Sequence, residues 1–373
     1  MINPRTTTYQ SLTLTQKIAL SGGVILTLAV LGILAAPHMP RMRDFDQTFY
    51  PAIRYALAGQ NPYTSAYQMT DQGTPPVFYS PPWFLVVLLP FGLLPFEIAR
   101  AEWMIFLIVV TCLGLASMGW WGFKGAWFLA LATLPWSLIG ILYGQPTALV
   151  FLGAILAITQ VATTQTSVWS ALFILLGIIL MGIKPQLGLF IVLPLGLWLG
   201  WRRDPRLGWV VGGGIAFLIL VWLIAPAWLL TTAANTGALP APLWQSTLER
   251  ELLLWQLPQW TAGLVRVGVI AVMILWVWRA KDLTPAWWSA MLAAVLIITP
   301  YTRAYDGVLL LPILGQIVAR RRLAFLIFLI VVIAYTSLPL GELGSVVTPL
   351  TAWLLFVPWP DLISFFRRSV TPR

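Results

Sequence analysis

The sequence predicts an all-α polytopic membrane protein of about twelve transmembrane helices, with one long polar loop after the first of them. Three observations carry this. Of 373 residues, 59% are hydrophobic and 9% charged, whereas a soluble domain carries roughly 25% charged residues. Apolar runs of about twenty residues, the length that crosses a bilayer as helix, recur along the chain. The longest polar segment, His38 to Pro82, holds Asp44, Asp46 and Asp71, three of only twelve acidic residues. The whole chain, 1–373, reads as a single transmembrane domain, in which 38–95 is a loop with short interface helices.

Residues 1–16 are polar, and the first apolar run extends from about Ile18 to Ala36. No small-residue cleavage site precedes the loop, so a retained span is expected. Within the loop, Thr48 is a candidate cap, Pro51 suits a first helical turn, and Gly59 with Asn61-Pro62 ends the helix. Phe45, Phe49 and Ile53 are spaced four residues apart, which predicts one apolar side for the bilayer surface. Pro82–Pro95 is apolar but interrupted by Pro90 and Gly92. Its length as helix, roughly 21 Å, falls short of the ~30 Å hydrocarbon core, so it reads as re-entrant or interface-lying. The remaining runs lie near 97–120, 125–143, 146–162, 168–183, 186–201, 207–231, 259–279, 285–300, 306–319, 323–339 and 346–362.

With Pro82–Pro95 not crossing, fourteen Lys and Arg fall on one side and seven on the other. The basic excess marks the cytoplasmic side, so both termini are expected inside and the long loop outside, at the plasma membrane. The polar breaks around Gln145, Lys184, Thr232–Pro258 and Arg303 then share the outer side with the loop. The net charge of +10 comes from short clusters between apolar runs, the pattern of cytoplasmic loops in a protein set in a lipid bilayer, which calls for no nucleic acid. The one cysteine, Cys112, excludes an internal disulfide framework.

The residues able to do chemistry sit in those outer breaks. Asp44 and Asp46 stand at the start of the loop helix, where the helix dipole favours negative charge; each reads either as a general base or as a solvated cap. Lys184, in Gly-Ile-Lys-Pro-Gln, either snorkels to the interface or offers its ammonium to a lipid phosphate, because a lysine near hydrocarbon needs a partner or a cavity. Gln145 can bond sugar hydroxyls or satisfy backbone freed at its break. Tyr301, Arg303, Tyr305 and Asp306 crowd one turn. Arg303 can grip a phosphate through two bonds, and Asp306 can hold Arg303 or Lys184. Arg43, in the loop, and Arg266, two turns into its span, are further candidates for the phosphate. Tyr50, Tyr79 and Gln186 join Gln145, Tyr305 and Asp306 as candidate sugar or acceptor contacts. No cofactor is called for. Asp44 and Asp46 leave a divalent metal open, and no phosphate-cradling glycine loop is present.

These residues carry a resemblance. Asp44-Phe45 is followed by Phe49-Tyr50-Pro51-Ala52, Ala56-Leu-Ala-Gly-Gln-Asn-Pro-Tyr63 and Tyr79-Ser-Pro-Pro-Trp83. Gly144-Gln145, Lys184-Pro185-Gln186 and Tyr305-Asp306 ahead of Leu309-Leu-Leu-Pro312 come later. The ordered set, from Asp44 to Pro312, resembles glycosyltransferase family 87, the polyprenol-phosphate-mannose-dependent α-mannosyltransferases of the GT-C superfamily. The resemblance implies a GT-C-type helical bundle and a polyprenyl-phosphate sugar donor. It also implies an active site on the extracytoplasmic face, an aspartate base in the first outer loop, and inversion at the anomeric carbon; the expected acceptor is a glycolipid or glycan, with protein left open. Asp44 matches the aspartate, with Asp46 in reserve; Lys184 and Gln145 match the lysine and glutamine. A histidine used by some members has no counterpart, since His38 precedes the motif. Rival readings are a lipid-linked sugar transporter or flippase, an acyltransferase, for which an intramembrane histidine is missing, and an assembly factor without chemistry.

Overall fold

A computed structural model describes residues 14–63, 78, 80–118, 136–163, 166–228, 230, 248–258, 260–279, 284–300, 302–320, 322–337 and 346–356. Asp71, Tyr79 and Tyr301 lie outside the described residues. The described chain is a helical bundle. Helix α1 spans Leu14–Ala35 and ends in a 3-10 turn, Ala36–His38. A π-helical turn, Phe45–Phe49, runs into α2, Tyr50–Leu57. Then follow α3 (Pro82–Gly92), α4 (Phe96–Met118), α5 (136–143), α6 (Thr147–Ala162), α7 (Val168–Met181), α8 (Pro185–Trp201) and α9 (Arg206–Ile224). The last part holds α10 (Leu248–Leu254), α11 (Trp260–Arg279), α12 (Pro285–Ile298), a 3-10 turn (Ala304–Leu310), α13 (Leu311–Arg320), α14 (Arg322–Thr336) and α15 (Val347–Phe356).

Local chemistry sets these limits. Ser167 caps α7 by accepting the Ser170 amide at 3.1 Å, and Thr284 caps α12 by accepting that of Trp287 at 3.3 Å. Pro185 and Pro285 open α8 and α12, where a missing N–H costs nothing. Helices α6 and α7 pack back to back through Gly153 and Gly177. A Cβ on Gly153 would stand 2.6 Å from the Gly177 carbonyl, and one on Gly177 2.5 Å from that of Gly153. Only glycine allows that approach.

Helix α12 is the buried axis. From Trp288 to Ile298 none of its side chains is more than 4% exposed, and it packs against α8, α11, α13 and α15. A second core joins the polar loop to α3 and α4 around Phe45, Phe49, Phe84 and Trp103. This corrects the expected bilayer-facing stripe: Phe45, Phe49 and Ile53 are buried inside the protein. The reason is α3, which folds back on α2 so closely that a Cβ on Gly92 would strike Ile53 at 2.7 Å. Thr48 is also not a cap, because the helical turn already begins before it, at Phe45.

At eleven residues, α3 is about 16 Å long, well under a bilayer core. Among the described residues two helices are long and apolar enough to cross a membrane unaided, Phe96–Ser117 and Arg206–Ile224. Apolar helical stretches of 10–17 residues include Pro82–Gly92, Thr147–Ala162, Val168–Met181 and Pro185–Trp201.

The α6–α7 and α8–α9 turns are clamped together by Arg206. Its guanidinium reaches Asp204 Oδ2 at 2.6 Å, the Gln160 carbonyl at 2.6 Å and Ser170 Oγ at 3.2 Å. The carbonyl belongs to the last turn of α6, where it also accepts the Thr163 N–H at 3.2 Å. Arg206→Met removes the charge partner of Asp204, which keeps the backbone N–H of residue 206 at 2.9 Å, so unfolding is expected to become easier by about 1–3 kcal/mol, read from thermal or denaturant melts in detergent.

Candidate active site

At the end of the bundle opposite that clamp, four polar breaks converge. The first is the turn between α5 and α6. Gly144 adopts φ 76° there, and a Cβ would meet that of Phe45 at 2.7 Å, so this position needs glycine. Its carbonyl accepts the Trp103 indole N–H at 2.9 Å. Gln145, next in the turn, donates its side-chain amide to Asp44 Oδ2.

The second break is the turn from α7 to α8. Lys184 precedes Pro185, which excludes it from the helical region, and its φ and ψ are −120° and 82°. Its ammonium turns into the protein. It donates to Thr147 Oγ1 at 2.8 Å and to Asp306 Oδ1 at 2.6 Å. The Thr147 hydroxyl in turn donates to Asp306 Oδ1 at 3.0 Å, and the ammonium lies 4.2 Å from the centre of the Tyr305 ring.

The third break, after α12, supplies Arg303 and Asp306. The Arg303 backbone N–H donates to Asp306 Oδ2 at 2.9 Å. Asp306 therefore binds the Lys184 side chain with one oxygen and fixes the Arg303 turn with the other. The Lys184 and Asp306 side chains are only 8% and 1% exposed. Burial pulls the Lys184 ammonium below its ordinary pKa of 10.5, and the Asp306 carboxylate acts against that shift.

The polar loop is the fourth. Asp44 is partly buried at the start of the π-helical turn. Burial raises its pKa above the ordinary 3.8; the Gln145 hydrogen bond and the charges of Lys184, Arg43 and Arg303 pull it the other way. Gln145 and Thr147, two residues apart, thus connect Asp44 to the Lys184–Asp306 pair.

Asp46 faces elsewhere. Its Oδ2 accepts the Met42 amide at 3.1 Å and pairs with Arg100 of α4 at 3.3 Å. With Asp44 bonded to Gln145 and Asp46 to Arg100, the two carboxylates do not form one ligand pair. Among the described residues no group of three His, Cys, Asp or Glu side chains comes together. Tyr50 also turns away, donating its hydroxyl to the Leu94 carbonyl at 2.9 Å. Arg43 is exposed beside Asp44, and Gln186 is half-buried in the first turn of α8. Arg266 is half-buried in α11, which packs on α8 and α12.

Sequence reasoning missed Thr147, Trp103 and Arg100. Thr147 had a faint signal, two residues after Gln145 in Gly-Gln-Pro-Thr. Trp103 and Arg100 sit in an apolar helix, where nothing local announces a role. Comparison of the chain with family models, with curated proteins and with solved structures finds no match in any of the three.

Proposed function

We propose that this chain is a polytopic membrane glycosyltransferase that moves a hexose from a polyprenyl-phosphate donor to an acceptor hydroxyl at the extracytoplasmic face. Mannose as the sugar is taken from the resemblance to glycosyltransferase family 87. One observation carries the reading. A carboxylate with a raised pKa, Asp44, is joined through Gln145 and Thr147 to a buried lysine, and the charges of Lys184, Arg43 and Arg303 all act on it. A base beside a group of cations suits transfer of a sugar away from phosphate.

The membrane reading is supported by the surface. Leu218, Ile219, Leu220, Trp222, Leu223 and Ile224 of α9 are each at least 47% exposed, while Lys184, Asp306, Gln145 and Arg206 are buried. An apolar outside around polar interior groups fits lipid as the solvent.

In the transfer, the acceptor oxygen attacks the anomeric carbon while the bond to the donor phosphate breaks. Asp44 takes the acceptor's proton, and the leaving phosphate keeps the electron pair, stabilised by Lys184, Arg303 and Arg43. Attack from the face opposite the phosphate inverts the anomeric centre. Asp306 holds Lys184 and the Arg303 turn in place, so the cationic side is preorganised before the donor arrives.

The test is direct. Purified protein in detergent, given radiolabelled polyprenyl-phosphate-mannose and a mannoside acceptor, is expected to form a labelled glycoside of opposite anomeric configuration. Donor that crosses a vesicle bilayer unchanged, with no label in any acceptor, points to a flippase instead.

A further inference from the structure

Helix α4 carries two side chains one turn apart that grip both halves of the Asp44–Gln145 contact. Trp103 is fully buried. Its ring stacks on that of Phe45, centroids 5.7 Å apart and planes 16° from parallel, and Phe45 is the residue after Asp44. Its indole N–H donates to the carbonyl of Gly144 at 2.9 Å, and Gly144 is the residue before Gln145. One rigid side chain thus touches the immediate neighbours of the proposed base and of its amide partner.

Arg100, three residues earlier on α4 and 8% exposed, secures the other side of the loop. It pairs with Asp46 at 3.3 Å and with Glu97. Asp46 in turn accepts the Met42 amide at 3.1 Å, while its own amide donates to the Met42 carbonyl at 2.8 Å. These two bonds close residues 42–46 into a small ring with Asp44 at its middle. Neither Arg100 nor Trp103 contacts Lys184 or Asp306 through any of these bonds, so neither belongs to the phosphate side.

We infer that Trp103 and Arg100 are positioning residues that hold Asp44 against Gln145 in the geometry needed for proton transfer. The inference rests on the glycosyl-transfer reading and adds to it the part of the fold that sets the base. A long α-helix is a stiffer mount than a short turn, and Asp44 lies in the first turn of the short helical segment that runs into α2. Asp44 and Gln145 belong to segments 101 residues apart, and the two α4 anchors add a shared mount to the direct packing of Gly144 on Phe45.

Trp103→Phe keeps an aromatic ring against Phe45 and removes the N–H to Gly144, and it also trims a side chain that packs on Phe84, Phe91 and Phe106. It is expected to lower kcat by on the order of 10- to 100-fold, the loss that follows misplacement of a catalytic group, with the donor KM unchanged. The acid limb of the kcat–pH profile is expected to move to higher pH, because the Gln145 bond lowers the pKa of Asp44. Gln145→Leu should move the limb the same way, and the double variant should be no worse than the poorer single one, since both changes break one contact. Arg100→Lys is expected to recover much of the activity lost in Arg100→Met, which keeps the inference testable if Trp103→Phe folds poorly.

Labelled polyprenyl-phosphate-mannose and purified full-length protein provide the assay. A Trp103→Phe protein whose kcat and acid limb superimpose on those of an active wild type overturns the inference alone. So does a loss that simply adds to that of Gln145→Leu. A wild type that transfers no sugar overturns the glycosyl-transfer reading, and the inference with it.

Discussion

Asp44→Asn is expected to lower sugar transfer by on the order of 10²- to 10⁴-fold, the contribution of a positioned general base, while leaving the fold intact. The asparagine keeps an oxygen that can accept the Gln145 amide, so the loop retains its tie to the α5–α6 turn. Stability should not fall, and the sign follows from the raised pKa. A carboxyl whose folded-state pKa lies above its ordinary 3.8 favours folding below that pH and loses the contribution as pH rises through the folded value. At neutral pH the ionised Asp44 is therefore a cost to the fold, and asparagine removes it. Melting of the variant at neutral pH is expected at or above the wild-type temperature. The same shift sets the wild-type pH profile: the acid limb should lie above 3.8, and Lys184→Gln should push it higher, because the lysine charge lowers the Asp44 pKa. Full activity in Asp44→Asn, with Asp46→Asn inactive, would move the base two residues along the loop. That is the outcome least compatible with Asp46 being paired to Arg100.

Asp306→Asn is expected to be the most destabilising of the site variants, by about 3–5 kcal/mol, because it leaves a buried ammonium without its counter-charge. The size follows from where the pair sits. With Lys184 8% and Asp306 1% exposed, water cannot replace the lost carboxylate. The variant should also acquire a distinctive pH dependence. Burial already holds the Lys184 pKa below 10.5, and Asp306 is the strongest group opposing that. Its loss lowers the folded-state pKa further, so folding expels a proton that the unfolded chain keeps. Stability is then fully present above 10.5 and is lost as pH falls through the folded value. Melting of Asp306→Asn should therefore rise on going to alkaline pH, over a wider range than in the wild type. The double change Lys184→Met with Asp306→Leu removes both charges and is expected to regain most of the stability, as apolar replacement of a buried pair generally does. It should regain no transfer, since the phosphate side then lacks its lysine. A double variant as unstable as Asp306→Asn would show that the single change acts through packing rather than charge.

These two experiments separate the functions of residues that the sequence could only group. Asp44, Asp46, Lys184, Gln145, Arg303 and Asp306 all stood out as rare polar groups at breaks between apolar runs. Their convergence at one end was also legible, because successive helices joined by short turns return every second break to the same end. Several helices were readable from their apolar runs and the breaks between them: α6, α7, α8, α11 and α12 start and stop within about two residues of the expected limits. Where the expectation failed, at Phe45, Phe49 and Ile53, the periodicity was read correctly but its partner was not. A stripe of apolar side chains packs equally well on lipid or on protein, and the presence of α3 beside it decided for protein.

What the sequence by itself determined is therefore the all-helical class, the limits of several helices, their polar breaks and the scarcity of charge that makes each break conspicuous. Those features depend on near neighbours in the chain. Only the tertiary structure decided that Asp44 meets Gln145 while Asp46 meets Arg100, that Thr147 completes the Lys184–Asp306 pair, and that Trp103 mounts the loop on α4. The reason is physical: those contacts join residues from 37 to 159 positions apart. Which of two adjacent-looking carboxylates turns inward is set by the surface it lands on, not by its own neighbours.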